Sequence, residues 1–385
     1  MNSTQDKIKI AQVITGLGIG GAEQHLLSLA KHLDRKQFEL DFYCIIEGGE
    51  LIKDFQKLGY YPKIFHGAYN YKRRFPYDIK QILRLSRTFK QKKYDIVHTH
   101  LYAADVIGIT AAILAGIPRI VKSVHNIGNW KTKKKILHDR ILSKFIDRVV
   151  CCSESVREFT LRQERLKRDK TITIYQGIDM AKFNVKINRT EYIKKIGLNP
   201  NFKTVGTVAR LVPIKGHVYL LEAIPLILKS CPDTQFLLIG DGPLKEKLYS
   251  SIKDKPYKEK IHFLGSRSDI PELLSLLDVF VLPSLSEGLG IVILEAMAAQ
   301  LPVVASRIDT IAEAVIDKQT GFLVETANAE QLAAMIIQLL MNDELRKKMG
   351  ENGKERVKTH FSMSEMIQQI QKLYKHLQSD GTKKT

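Results

Sequence analysis

Cysteine is scarce in this chain: four in 385 residues, at positions 44, 151, 152 and 231. Four cysteines cannot staple a protein of this length, which excludes a fold built on disulfides. Cys151 and Cys152 are adjacent at the end of an apolar run and read as buried strand residues. Long hydrophobic runs are also missing. The longest, Val106 to Ile117, is about twelve residues, against the ~20 that span a bilayer. The first ten residues, Met1 to Ile10, show no signal-peptide pattern and lead straight into a strand. These absences point to a cytoplasmic protein. Asp-x-Asp does not occur anywhere, so no carboxylate pair of that kind offers itself to a metal ion, and no metal site is expected.

What is present is ordinary in kind but uneven in place. The hydrophobic fraction is 44% and the charged fraction 26%, as in a soluble globular protein. A chain of 385 residues exceeds what one core usually serves, so two domains are expected. The formal net charge is +19. Residues 1–190 hold 35 Lys and Arg against 18 Asp and Glu, or +17, whereas residues 191–385 hold 25 against 23, or +2. A field confined to one half points to an anionic partner for that half. No nucleic-acid recognition motif accompanies the charge, and no nucleic acid is expected.

Strands and helices alternate through the first half. Apolar strands are expected at Lys7–Thr15, Phe38–Ile46, Ile96–Thr99, Ile120–Val124, Arg148–Cys152 and Thr171–Tyr175, with a helix at Ala22–Leu33 and a short one at Leu51–Leu58. The pattern thins over Asp179–Phe202. It resumes with strands at Thr204–Val208, Gln235–Ile239, His262–Leu264, Val279–Leu282 and Val303–Ser306, and helices at His217–Leu228, Ile291–Ala299, Glu330–Met341, Asp343–Thr359 and Met363–Leu377. Two doubly wound, mostly parallel α/β sheets facing across a cleft account for this order.

Four motifs carry chemistry. Gly16-Leu-Gly-Ile-Gly-Gly21 follows a strand, opens a helix and satisfies G-x-G-x-x-G. Used for a dinucleotide, it needs an acidic residue at the end of the second strand, and Asp41 and Glu47 are the candidates. Arg210 and Lys215 follow the strand Thr204–Val208, a fork and a point charge suited to phosphate. Ser286-Glu-Gly-Leu-Gly-Ile-Val-Ile-Leu-Glu-Ala296 follows the strand Val279–Leu282. Its helix start presents unpaired N–H groups, which suit a phosphate, and its carboxylates, Glu287 and Glu295, suit hydroxyls. Glu295 is expected two helical turns along. Phosphate donors beside hydroxyl acceptors are what a nucleotide-sugar requires.

Among the histidines, His98 and His100 form His-x-His but lack further ligands, so orientation of the cleft fits them better than metal. His125 follows Ile120–Val124 and is placed to donate to a substrate oxygen. The segments Tyr71–Lys93 and Trp130–Ile146 are basic and amphipathic. In the second, Trp130, Ile136, Leu137, Ile141, Leu142, Phe145 and Ile146 share one face among lysines, which suits either an anionic membrane surface or packing on the sheet.

Together these residues resemble glycosyltransferase family 4, retaining enzymes of the two-domain GT-B fold. The likeness runs through Gly20-Gly-Ala-Glu23, Asp95-Ile-Val-His-Thr-His100, Gly206-Thr-Val-Ala-Arg-Leu211, Leu238-Ile-Gly-Asp-Gly-Pro243, Phe263-Leu-Gly265 and Ser286-Glu-Gly-Leu-Gly290 with its second glutamate. The resemblance implies that Arg210 and Lys215 hold the donor diphosphate and that Glu295 takes the ribose hydroxyls. Glu287 then faces the donor sugar, Gly20 and Gly21 approach the phosphates, and His125 contacts the sugar near the reacting centre. Gly265 and Ser266, after Leu264, line the base, and Gly288, Leu289, Gly290 and Ile291 meet the donor at the helix start. Asn126 departs from the pattern, since an acidic residue is common there in relatives.

The resemblance sets an N-terminal acceptor domain at 1–183, a donor domain at 184–360, a helix at 361–378 packing back on the first domain, and a tail at 379–385. The expected activity is metal-independent, retaining transfer of a hexose or N-acetylhexosamine from a nucleotide-sugar, UDP-linked, with no other cofactor. The expected acceptor is a lipid-linked or anionic glycan of envelope polysaccharide synthesis, reached by peripheral contact of the basic first domain with the inner face of the cell membrane. Two other classes are kept: a dinucleotide-dependent oxidoreductase using Gly16–Gly21, and a non-catalytic GT-B partner protein.

Overall fold

The computed structural model of the protein describes residues 7–65, 79–128 and 131–379. The chain divides into two compact units, residues 1–176 with 364–385 and residues 177–363. Both are α/β units built on parallel sheets.

In the first unit the strands are β1 (Ile8–Ile14), β2 (Phe38–Cys44), β3 (Lys63–Ile64), β4 (Ile96–His100), β5 (Arg119–Val124), β6 (Arg148–Cys151) and β7 (Thr171–Thr173). They lie in the order β3-β2-β1-β4-β5-β6-β7, all parallel. The connections hold α1 (Gly21–His32), α2 (Ile52–Lys57), α3 (Ile79–Lys92), α4 (Tyr102–Ala115), α5 (Lys133–Leu142) and α6 (Glu154–Glu164). The apolar run Val106–Ile117 covers most of α4 and ends two residues beyond it; residues 103–109 of the helix are all buried. At Gly108 a Cβ would stand 2.9 Å from Thr99 Cγ2 and 3.2 Å from Val13 Cγ1. Glycine there lets the helix approach β1 and β4 closely. No helix among the described residues is long and apolar enough to cross a membrane.

The second unit begins with a 3₁₀ turn at Met180–Phe183 and α7 (Arg189–Lys195), in the stretch where periodicity thins. Its strands are β8 (Lys203–Val208), β9 (Thr234–Ile239), β10 (Ile261–Gly265), β11 (Val279–Leu282), β12 (Val303–Ser306) and β13 (Gly321–Val324), in the order β10-β9-β8-β11-β12-β13. Helices α8 (His217–Ser230), α9 (Lys245–Ile252), α10 (Ile270–Leu274), α11 (Ile291–Ala298) and α12 (Asp309–Ala312) connect them, and α13 (Ala329–Leu340) and α14 (Asp343–His360) follow. Strands β9 and β11 are buried at every position, as expected where helices cover both faces. The last helix, α15 (Met363–Ser379), packs in the first unit from Ser364 onward and buries Met366, Ile370, Leu373, Tyr374 and Leu377 there.

Both sheets are of the doubly wound, Rossmann-like kind. Strand order reverses between β1 and β4 in the first and between β8 and β11 in the second. Ligands of such sheets bind beyond the carboxyl ends of the strands at that reversal.

Candidate functional site

In the second unit, the loop that leaves β8 is threaded between its neighbours. Leu211 N–H donates to the Asp241 carbonyl (2.9 Å), and Leu285 N–H donates to the Ile214 carbonyl (2.8 Å). Gly216 has φ +65°, and a Cβ there would stand 1.9 Å from the Pro283 carbonyl oxygen. Only glycine fits, and the close approach brings Lys215 to the loop after β11. Its ammonium donates to Glu287 Oε1 at 2.6 Å. Ser284 Oγ donates to the same oxygen at 2.7 Å, and Thr310 Oγ1 to the Glu287 carbonyl at 3.1 Å. Glu287 is thus buried and fixed from three sides, with Oε2 left for a ligand. Arg210, five residues before Lys215, is exposed.

The same loop runs into α11. Gly290 takes the left-handed conformation at φ +72° and caps the helix. Leu289 is buried, so its backbone, not its side chain, is what a ligand can meet. Glu295 is the fifth residue of α11, one turn from the helix start where two were expected, because the helix begins only at Ile291. Burial pushes its carboxyl up to about 7, against the opposing pull of the Lys182 ammonium. Gly265 ends β10 at φ +66° and accepts a hydrogen bond from Gly240 N–H (2.8 Å), with Ser266 exposed beside it.

In the first unit, Gly20 is the extended cap of α1 and Gly21 its first residue. The glycine loop folds onto residues 47–51. Leu17 is fully buried, donates to the Gly48 carbonyl (2.9 Å) and accepts from Leu51 N–H (3.0 Å). Asp41, a candidate partner for a dinucleotide ribose, lies inside β2 and is engaged by the Tyr94 hydroxyl and by Lys92 at 3.6 Å.

His125 contacts protein at both ring nitrogens: Nε2 lies 3.0 Å from His100 Nδ1, and Nδ1 lies 3.4 Å from Gln176 Nε2. His100 Nε2 meets Gln12 Oε1 at 2.9 Å, while His98 meets the Tyr374 hydroxyl at 2.7 Å and Ser123 Oγ at 2.8 Å. The His-x-His pair therefore orients its neighbours, and no group of three or more metal-type side chains is assembled among the described residues. Burial lowers all of these imidazoles, His125 to about 3 and the neighbouring His25 to about 4.

Beside His125 a pocket of about 210 Å³ opens at the carboxyl ends of β1, β4 and β5, lined among others by Tyr102, Asp105, Lys122, Lys131 and Lys135. Its floor is a buried ionic cluster. Lys122 lies 2.8 Å from Glu164, 3.7 Å from Asp139 and 3.9 Å from Asp105. Lys131 lies 2.6 Å from Asp139 and 3.4 Å from Glu164. Burial raises Asp105 to about 7, partly offset by Lys122. Sequence reasoning did not single out Lys122, Gln12, Gln176 or Tyr374, since their partners are distant in the chain.

The amphipathic segment at Trp130–Ile146 splits. Leu142 and Ile146 are buried against the unit, while Leu137, Ile141 and Phe145 are 58%, 49% and 52% exposed. Trp130 lies outside the described residues, as does the start of the segment Tyr71–Lys93.

Residues 19–182 match the family model described as Glycosyltransferase Family 4, and residues 188–356 that described as Glycosyl transferases group 1. The chain is 31% identical over 386 residues to UDP-Gal:alpha-D-GlcNAc-diphosphoundecaprenol alpha-1,3-galactosyltransferase of Escherichia coli, with 97% of this chain and 98% of that protein covered. The chain belongs to glycosyltransferase family 4. This family 4 member is also 26% identical to the capsular polysaccharide biosynthesis glycosyltransferase CapM of Staphylococcus aureus, covering 77% of this chain and 80% of that one. Among solved structures, Anabaena Alr3699/HepE in complex with UDP and glucose aligns with TM-score 0.84 at 21% identity, over 96% of this chain and 100% of that one. That likeness gives the fold, GT-B, with two Rossmann-like units. The protein is an enzyme, a glycosyltransferase.

Proposed function

We propose that this glycosyltransferase moves a hexose or N-acetylhexosamine from a UDP-sugar to a lipid-linked, anionic glycan acceptor of envelope polysaccharide synthesis, with retention and without a metal. The observation that carries the reading is the meeting of Lys215 with Glu287 at the strand-order reversal of the second unit, beside the start of α11. Lys215 keeps two N–H donors for the diphosphate, joined by Arg210 and by the N–H groups at Gly288–Ile291. Loss of one such donor costs roughly 10²–10³ in rate. Glu287 offers its second oxygen to a sugar hydroxyl, and Glu295 takes the ribose hydroxyls. Gly265 and Ser266 line the base. In the first unit, Gly20 and Gly21 open α1 and His125 follows β5 directly.

A relative 31% identical over nearly its whole length acts, by its name, from UDP-Gal on a diphosphoundecaprenol-linked sugar, which supports both substrate classes. The acceptor enters the pocket beside His125, where Lys131 and Lys135 meet its phosphates. The leaving phosphate takes the acceptor proton on the front face. Exposed Leu137, Ile141 and Phe145, with Lys133, Lys134 and Lys144 around them, seat the first unit on an anionic lipid surface at the inner face of the cell membrane.

The experiment is release of UDP from a panel of UDP-sugars in EDTA, with and without a polyprenyl-diphosphate-linked sugar. Acceptor-dependent release from one donor is expected. Release that needs added divalent metal, or that ignores the lipid acceptor, contradicts the reading.

A further inference from the structure

A line of seven polar groups crosses the buried interior of the first unit: Gln176, His125, His100, Gln12, Tyr374, His98 and Ser123, with successive contacts of 3.4, 3.0, 2.9, 2.9, 2.7 and 2.8 Å. Its direction follows from one end. Gln176 Nε2 lies 3.5 Å from the Gly21 carbonyl oxygen, which accepts only. The amide nitrogen therefore occupies that place and turns its other proton on His125 Nδ1.

Each later group then has one role left. His125, with Nδ1 accepting, carries its proton on Nε2 and donates to His100 Nδ1. His100 donates from Nε2 to Gln12 Oε1. The Gln12 amide donates to the Tyr374 hydroxyl, which gives its single proton to His98 Nδ1, and His98 Nε2 donates to Ser123 Oγ. No atom in this series lacks a partner, whereas both nitrogens of neighbouring His25 do. A buried line with every group satisfied is rigid and mutually polarised.

We propose that Gln176 is a positioning residue: through this line, which ends at Ser123 beyond Tyr374 of the last helix, it holds His125 in the Nε2–H form with Nδ1 as an acceptor. This rests on the reading of His125 as a group facing the sugar, and it changes what His125 does. The single lone pair of Nδ1 is taken by Gln176 and the Nε2 proton is given to His100, so His125 neither takes a proton from a ligand nor gives one. The ring meets a sugar only through its fixed shape, as a wall held in one orientation.

The test is long-range ¹H–¹⁵N correlation on the imidazole-labelled chain, with the His125 signal identified by its loss in His125→Gln. The wild type should show protonated Nε2 and unprotonated Nδ1. Wild-type protonation at Nδ1 overturns the proposal without any variant. Gln176→Glu presents only acceptors to Nδ1, so the proton should move to Nδ1. Turnover should then fall at least tenfold with UDP affinity within threefold of wild type. An unmoved proton in a folded Gln176→Glu chain also overturns the proposal. If the proton moves while turnover holds, the positioning line stands and the sugar-facing role of His125 falls.

Discussion

Lys215 and Glu287 lie 72 residues apart in sequence, yet the ammonium reaches the carboxylate at 2.6 Å, with Ser284 on the same oxygen. In the proposed donor site the pair ties the phosphate side to the sugar side. In Glu287→Gln the ammonium loses its anionic partner and turns fully to the ligand. Turnover should drop roughly 10²–10³-fold, the scale of losing one preorganised group, while UDP binds as tightly as before or more tightly. In Lys215→Ala, UDP should bind at least tenfold more weakly. Calorimetric titration with UDP and single-turnover kinetics separate the two.

Glu295 bears on pH. Its carboxyl is pushed up to about 7 in the free protein, and the ionised form is the better acceptor for ribose hydroxyls. Donor affinity should therefore rise as pH increases through 7, and KM for the UDP-sugar should fall between pH 6 and 8. Glu295→Gln should flatten that dependence and weaken binding at pH 8.

The imidazoles set the acid limit of stability. His25 and His125 are held to about 4 and about 3 by burial, against about 6.5 in an unfolded chain. The unfolded state therefore takes up protons below pH 6.5 while the folded state does not. Stability is complete above 6.5 and is lost as pH falls toward 4 for His25 and toward 3 for His125. Since both His25 nitrogens are buried without partners, His25→Phe should reduce the loss between pH 6.5 and 4, and leave stability at pH 8 unchanged or improved. Urea titrations at several pH values measure this.

Lys122 is almost completely buried among Glu164, Asp139 and Asp105. Lys122→Met leaves those carboxylates with Lys131 as their one remaining buried cation in the cluster. Removing one side of a buried ion pair costs about 3–5 kcal/mol. A fall in Tm of several degrees is expected by scanning calorimetry, larger at pH 8 than at pH 5, because Asp105 ionises above about 7.

Membrane contact should respond to both apolar and charged changes. Leu137→Ser with Phe145→Ser should abolish co-sedimentation with vesicles containing phosphatidylglycerol, and 0.5 M salt should weaken it severalfold in the wild type, within the usual reach of screening. Salt-insensitive binding contradicts an electrostatic seat.

The sheets were legible because helices on both faces make their strands continuous apolar runs. Val279–Leu282 and Val303–Ser306 coincide with β11 and β12 to the residue. Strand β3 escaped because two residues carry too little pattern, and β13, which opens on Gly321, was not singled out. Arg210, Lys215 and Glu287 stood out in the sequence because each lies in a loop after a strand, and the structure brings Lys215 and Glu287 together. What surrounds His125 was not. Tyr374 meets His98 across 276 residues and Gln12 across 362, and no local spacing encodes such a contact. The amphipathic face at Trp130–Ile146 held two answers, packing and exposure. The structure divides it between them, with Leu142 and Ile146 buried and Leu137, Ile141 and Phe145 outside.

Transfer with retention from a UDP-sugar to a diphosphate-linked lipid acceptor leaves its mark on the product. That product is formed from the preferred UDP-sugar and a polyprenyl-diphosphate-linked acceptor in EDTA, and its new anomeric centre is assigned by NMR. An α-linked product is expected from an α-linked donor, lost in Glu287→Gln and in Arg210→Ala. A β-linked product, or full turnover in Arg210→Ala, would contradict it.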